Sequence, residues 1–180
     1  QVGQTASESR YVLKETRRNC SAWTPGKCKI STNEKCNLMI EIIEMSNPGD
    51  TSWLEMRGQL WPHLDKISHQ NELEHLLIEP SRFIAFLAVH PDGQAIGFAE
   101  TTVRTDYVNG CDSRPVAFLE GIYVKPEFRE IGVAKKLCEA VEHWGYSQGC
   151  TELASDAVLS NTISHQMHHN LGFKETERVV

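Results

Sequence analysis

Residues 119–137 read Leu119-Glu120-Gly121-Ile122-Tyr123-Val124-Lys125-Pro126-Glu127-Phe128-Arg129-Glu130-Ile131-Gly132-Val133-Ala134-Lys135-Lys136-Leu137. Val116, Phe118 and Leu119 lead into this stretch, Ile122 and Val124 continue its apolar run, and Val133, Leu137, Val141 and Trp144 recur at helical spacing. The pattern predicts a buried strand, a short turn, and a helix whose first turn is residues 129–134. At a helix start the backbone N–H groups lack intrahelical acceptors and the dipole adds partial positive charge, so a pyrophosphate can be held there largely by main chain. Gly132 lets a ligand approach the backbone closely. An ordinary strand-to-helix turn would carry the same glycine. Neither Gly-x-Gly-x-x-Gly nor the Walker sequence occurs, so the common nucleotide-binding folds fit poorly.

A chain of 180 residues with 40% hydrophobic content can bury one good core. No run approaches the roughly 18–20 apolar residues that span a bilayer, and Gln1–Lys14 lacks the apolar centre of a secretion signal. A cytoplasmic protein without a membrane partner is the expectation. Six cysteines, at 20, 28, 36, 111, 138 and 150, form no Cys-x-x-Cys pair, and free thiols fit that spread. With the eight histidines they offer no familiar zinc spacing, so no metal is expected.

Charge divides the chain. Residues 1–37 carry seven Lys/Arg against three Asp/Glu, a net of +4, and residues 38–180 carry eleven against twenty-one, a net of −10. An acidic domain disfavours nucleic acid as a partner and suits a cationic substrate, although solubility alone also favours an acidic surface.

Residues 1–37 show no sustained periodicity and read as a leader, disordered or a non-native extension. Met39 is the first methionine, and Met39-Ile-Glu-Ile-Ile-Glu reads as strand one of a domain over residues 38–180. A helix follows from Thr51 or Ser52 as its cap to Trp61, with Pro62 at its exit. A second helix is expected over Glu72–Ile78. Phe83–Val89 and Ala95–Val103 read as strands joined through Pro91-Asp92-Gly93. Tyr107–Pro115 is a polar loop before the central strand. After the long helix come a strand at Cys150–Ala154, a helix at Asn161–Asn170 and a last strand from Phe173, expected to run on past Val180. The order β-α-α-β-β-β-α-β-α-β indicates an α/β fold with a mixed central sheet flanked by helices.

The spacing Arg129-x-x-Gly132-x-Ala134 and this element order resemble the GNAT superfamily of acyl-CoA N-acyltransferases. Leu60-Trp61-Pro62, Asp106-Tyr107-Val108-Asn109-Gly110-Cys111-Asp112, Phe118–Val124, Ala154-Ser155-Asp156 and Leu171–Val179 are similar to its aminoglycoside 6'-N-acetyltransferases. The resemblance spans residues 39–180. It implies acetyl-CoA as co-substrate, an aminoglycoside as cationic acceptor, and a homodimer. The backbone of Ile122, Tyr123 and Val124 would pair with the pantetheine arm. Arg129, Glu130, Ile131, Gly132, Val133, Ala134 and Lys135 would hold the pyrophosphate, and Asn161 would reach the CoA arm. Glu130 and Ile131 stand where basic or amide residues are common in the family, leaving the main-chain cradle as the holding element. Trp61, Tyr107, Glu120, Asp156 and Glu177 would line the acceptor pocket, with His63 beside them.

Carboxylates suit a polycationic sugar, each charge-assisted bond contributing roughly 1.5–3 kcal/mol. Glu120 is the candidate to take the amine proton through water, with Asp156 holding the acceptor in register. His168 stands where many relatives carry a tyrosine that protonates the CoA thiolate, so an imidazolium is one candidate donor. Plainer roles are open for each: Trp61 as a core-edge aromatic, Tyr107 as loop surface, Asp156 as a turn cap, Asn161 as a helix N-cap, His168 as a passive neighbour of the Ile163, Met167, Leu171 stripe. Other activities compatible with the fold are acetylation of a polyamine or protein N-terminus, and non-catalytic acyl-CoA sensing.

Overall fold

The structure is a computed structural model and describes residues 7–14 and 39–179. In chain order the elements are β1 (Glu8–Lys14), β2 (Glu41–Glu44), α1 (Thr51–Leu60), α2 (Lys66–Leu76), β3 (Phe83–Val89), β4 (Ala95–Arg104), β5 (Val116–Val124), a 3-10 turn (Pro126–Phe128), α3 (Val133–Ser147), β6 (Glu152–Val158), α4 (Thr162–Asn170) and β7 (Lys174–Val179). They build one seven-stranded sheet in the order β2-β3-β4-β5-β6-β1-β7. Every pairing is antiparallel except β5 with β6. That one parallel pair needs a crossover, and α3 supplies it.

Two apolar layers sandwich the sheet. Val133, Leu137, Val141 and Trp144 of α3 pack on Ala117, Leu119, Ile96 and Ala99 on one face. On the other, Trp53, Leu54 and Met56 of α1 and Leu73 of α2 meet Ala85, Leu87 and Phe98. The helical stripe predicted for α3 is thus the stripe that is buried.

Residues 8–14 correct the expectation of a loose leader. They pair with β6 on one side and β7 on the other, and Val12 is 0% exposed and Tyr11 5%. A strand covered on both faces presents a short apolar run, Tyr11-Val12-Leu13, rather than an alternation, so periodicity does not reveal it. The rest of the expected leader, residues 1–6 and 15–37, lies outside the described residues.

Three helix starts also differ from expectation. Asp50, not Thr51 or Ser52, caps α1 by accepting from Trp53 N at 2.9 Å. Asp65 caps α2 from Ser68 N at 2.7 Å, so this helix begins six residues before Glu72. Only His69 and Leu73 of α2 are buried, which leaves too thin a stripe to read. Residues 129–132 are a turn rather than a helical turn: Gly132 takes φ 90 as the N-cap, and α3 starts at Val133.

Candidate acceptor and acetyl-CoA site

Between β4 and β5 the register shifts, with Glu100 opposite Gly121 and Thr101 opposite Leu119. Glu120 is therefore the extra residue of a β-bulge. Alternation would send Glu120 and Gly121 to opposite faces; the bulge turns both toward the α1 and α2 side. Strand pairing of β5 with β6 ends at Leu119 and Ser155. Past that point the two strands diverge, and the β5 edge from Glu120 to Val124 faces β6 without a strand partner among the described residues.

Trp61, at the end of α1, occupies the space above Gly121: a Cβ there would stand 2.5 Å from Trp61 Cζ2 and Cη2. Glu120 is held by Arg104 Nη2, 2.9 Å from each carboxylate oxygen, and by the Thr102 hydroxyl. The Arg104 guanidinium lies 3.3 Å from the Phe118 ring centroid. Arg104 thus anchors the predicted base in a bidentate pair, which sets its orientation.

Beside this pair a cleft of about 140 Å³ is lined by Arg10, Tyr11, Arg104, Tyr107, Val108, Asn109, Phe118, Ala154, Ser155 and Asp156. Tyr107 is 65% exposed at its mouth. Asp156 opens to solvent at the rim. The surrounding protein raises its pKa, and the charges of Glu8 and Glu120 add to that while Arg104 and Arg10 oppose it. Glu177 sits across from Arg10 in β7, accepting from Asn109 Nδ2 at 2.8 Å and pairing with Arg10 at 3.5 Å. Of the predicted pocket residues, Tyr107 and Asp156 line this cleft, Glu120 and Glu177 border it, and Trp61 stands beside Glu120 over Gly121. His63 is exposed in the turn between α1 and α2 and is not part of the cleft lining.

The predicted cofactor residues are arranged as follows. Arg129 Nε donates to Val124 O at 3.0 Å, so this side chain ties the turn to the end of β5. Glu130 at φ 64 and Gly132 at φ 90 turn the chain, the second conformation being one that glycine adopts without strain. Ile131 is exposed, and Lys135 is exposed near Glu139 at 3.9 Å. Lys136 N donates to Gly132 O, so the N–H groups of Val133, Ala134 and Lys135 precede the helical ladder of a 15-residue helix. Ile122 turns into the α3 layer and Tyr123 toward α1, leaving the β5 main chain as the available edge. An unpaired strand edge running into free helix N–H groups fits an amide-bearing arm that ends in a pyrophosphate. Asn161 caps α4 by accepting from Ser164 N at 3.1 Å. Among the described residues no group of three His, Cys, Asp or Glu gathers to hold a metal, Cys111, Cys138 and Cys150 are free thiols, and no helix is long and apolar enough to cross a membrane.

His168 corrects the imidazolium reading. It is 1% exposed, stacks on Tyr11 at 4.3 Å, and donates from Nδ1 to Ser164 O at 2.7 Å. Burial pushes its pKa down to about 4, so the ring is neutral at pH 7 and carries no imidazolium to donate.

Four contributors escape a sequence reading: Arg104, Arg10, and the buried pair Arg57–Glu100 beneath Trp61. Glu100, a lone carboxylate ending an apolar strand run, was a usable signal for a buried partner. Gly121 inside a strand was one for the bulge.

Comparison with known proteins identifies the family and the fold. The Acetyltransferase (GNAT) family model matches residues 50–173. The chain is 48% identical over 141 residues to aminoglycoside N(6')-acetyltransferase type 1 of Salmonella typhimurium, covering 78% of this chain and 96% of the relative. It is 45% identical over 141 residues to the protein of the same name from Acinetobacter baumannii, covering 78% and 95%. Among solved structures, aminoglycoside N-acetyltransferase AAC(6')-Iy in complex with CoA superposes with a TM-score of 0.74 at 48% identity, over 78% of this chain and 91% of that one. The same enzyme in complex with the bisubstrate analog CoA-S-monomethyl-acetylneamine gives 0.73 at 48% identity, over 78% and 95%. With that family's model matched over most of its length and a curated relative 48% identical across 78% of it, this chain belongs to the GNAT acetyltransferase family.

Proposed function

We propose that the chain transfers the acetyl group of acetyl-CoA to the 6'-amine of aminoglycoside antibiotics, and thereby confers resistance. The observation that carries this reading is the placement of the free β5 edge and its helix-terminal cradle directly beside a face bearing Trp61, Tyr107, Glu120, Asp156 and Glu177. Relatives at 45–48% identity carry that activity in their names, and one is solved with CoA joined to an acetylated neamine.

Acetyl-CoA supplies an activated acyl group with a thiolate as leaving group. The chain's own residues do the rest by placement. Asp156 and Glu177 attract the ammonium groups of the sugar, and Trp61 and Tyr107 give its rings flat surfaces. Glu120, kept in one orientation by Arg104 and Thr102, receives the amine proton through water. A β5 N–H near Ile122 donates to the thioester oxygen as negative charge grows there. Orientation of the two reactants carries most of the acceleration. A cytoplasmic homodimer belongs to the same proposal, and sedimentation of the full chain checks the dimer.

Release of free thiol from acetyl-CoA in the presence of kanamycin or tobramycin tests the activity, and a 6'-hydroxyl analogue that is not acetylated fixes the position. Turnover with spermidine but not kanamycin would transfer the reading to polyamines; binding of acetyl-CoA without any turnover would make the chain a sensor. Asp156→Asn is expected to raise the acceptor KM by roughly 10- to 100-fold, the loss of one charge-assisted bond of about 1.5–3 kcal/mol, with the acetyl-CoA KM within about twofold of its original value. Steady-state kinetics with each substrate varied separately checks this, and equal losses for both substrates would contradict it.

A further inference from the structure

Beneath the acceptor face lies a charged cluster that the chemistry above does not use. Arg57 and Glu100 are each 2% exposed. Arg57 Nη1 donates to Glu100 Oε2 at 2.5 Å, and Trp53 Nε1 donates to Glu100 Oε1 at 2.8 Å. Arg57 Nε donates to His69 Nδ1 at 3.3 Å, and Nη2 pairs with Glu72. All the nitrogens of the guanidinium are engaged, so its plane has one orientation. That plane faces Trp61: the guanidinium carbon is 4.8 Å from the ring centroid.

Trp61 is partly buried, and three further groups pack against it. Its six-membered ring fills the place of a side chain at Gly121, Phe98 lies 6.1 Å away and His69 6.5 Å, centroid to centroid. Glu100 is the cross-strand partner of Gly121 at the bulge. The same two strand positions therefore set the charge that holds Arg57 and the gap that receives the indole. A buried ion pair replaceable by apolar residues in many cores is found here directly under the indole that packs on Gly121, the residue next to Glu120.

Resting on the acceptor role of Trp61 proposed above, we propose that Arg57 and Glu100 are positioning residues for aminoglycoside binding: their buried pair clamps the Trp61 indole onto Gly121 and fixes the wall against which the sugar docks. They touch neither substrate, and they act through the indole.

Kanamycin affinity measured by calorimetry on the full chain, independent of turnover, tests this through a double-mutant cycle. Arg57→Met and Trp61→Leu are each expected to weaken kanamycin binding by roughly 10-fold, about the loss of one aromatic contact, with acetyl-CoA affinity within about twofold. Arg57→Met in the Trp61→Leu background is expected to add less than about twofold, because the residue through which it acts is already gone. Arg57→Lys is expected to recover part of the affinity by keeping the cation. Should Arg57→Met not fold, Glu100→Gln, which keeps volume and the acceptor for Trp53, replaces it in the same cycle with an expected loss of about threefold. Additive losses, or equal losses toward kanamycin and acetyl-CoA, would overturn the inference while leaving the activity intact. Absence of kanamycin binding in the unaltered chain would overturn both.

Discussion

Replacing Gly121 by alanine is expected to lower kcat/KM for the acceptor by roughly 10- to 100-fold, the rate equivalent of about 1–3 kcal/mol of overpacking. The new methyl would stand 2.5 Å from two Trp61 ring atoms, closer than non-bonded carbons sit, and 3.0 Å from Leu60 Cδ2. Leu60 is a flexible neighbour that can give way. Trp61 is confined on its buried side by Arg57, Phe98 and His69. The indole must rotate out toward the acceptor or carry the end of α1 with it, and either movement changes the wall beside Glu120. Acetyl-CoA KM is expected to stay within about threefold, because the cradle at residues 129–135 lies beyond the far end of β5. Kinetics on both substrates, with a thermal melt to register the strain, decide the matter; wild-type acceptor kinetics would show that the indole is not held against this strand.

Two buried groups are expected to drive stability in opposite directions with pH. Burial raises Glu100 from 4.5 to about 7 even though Arg57 and Trp53 both donate to it. The native state therefore keeps a proton there that the unfolded chain has lost, and the stability this contributes is full below pH 4.5 and gone above pH 7. His168 falls from 6.5 to about 4, with burial as the main cause. Its contribution is full above pH 6.5 and lost as pH drops through 4. Each shift corresponds to roughly 3 kcal/mol. Between pH 4.5 and 6.5 the two slopes nearly cancel, so the native protein shows a flat profile from this pair. Glu100→Gln is expected to unmask a stability that climbs from pH 4 to 6.5, and His168→Asn one that declines from pH 4.5 to 7. Denaturant unfolding at half-unit pH steps measures both, and profiles parallel to the unaltered chain would refute the assignment.

The residues that proved readable share one property. Val133, Leu137, Val141 and Trp144 declare a helix because a single face is buried and the period is visible; Phe83–Val89 and Ala95–Arg104 declare a hairpin because Pro91-Asp92-Gly93 separates two apolar runs. Glu120 announced itself as a carboxylate in apolar company, and the structure gives it Arg104 as the partner such a group demands. Tyr107, Asp156 and Glu177, distant in the chain, lie at or beside one cleft. His168 went the other way: its position in the helix was legible, but its protonation depends on Tyr11 and Phe173 packing over it, and Tyr11 comes from the segment read as a leader.

By itself the sequence determined the α/β order, the strand-turn-helix that can cradle a pyrophosphate, and the acidic character of the domain, since these follow from local periodicity, turn chemistry and summed charge. Only the tertiary structure decided that residues 8–14 complete the sheet, that a one-residue bulge puts Glu120 and Gly121 on the same face, and that Arg57 with Glu100 underlies Trp61. Each of these joins residues more than forty positions apart or depends on strand register, and a side chain's partner across a sheet leaves no trace in the spacing of its neighbours along the chain.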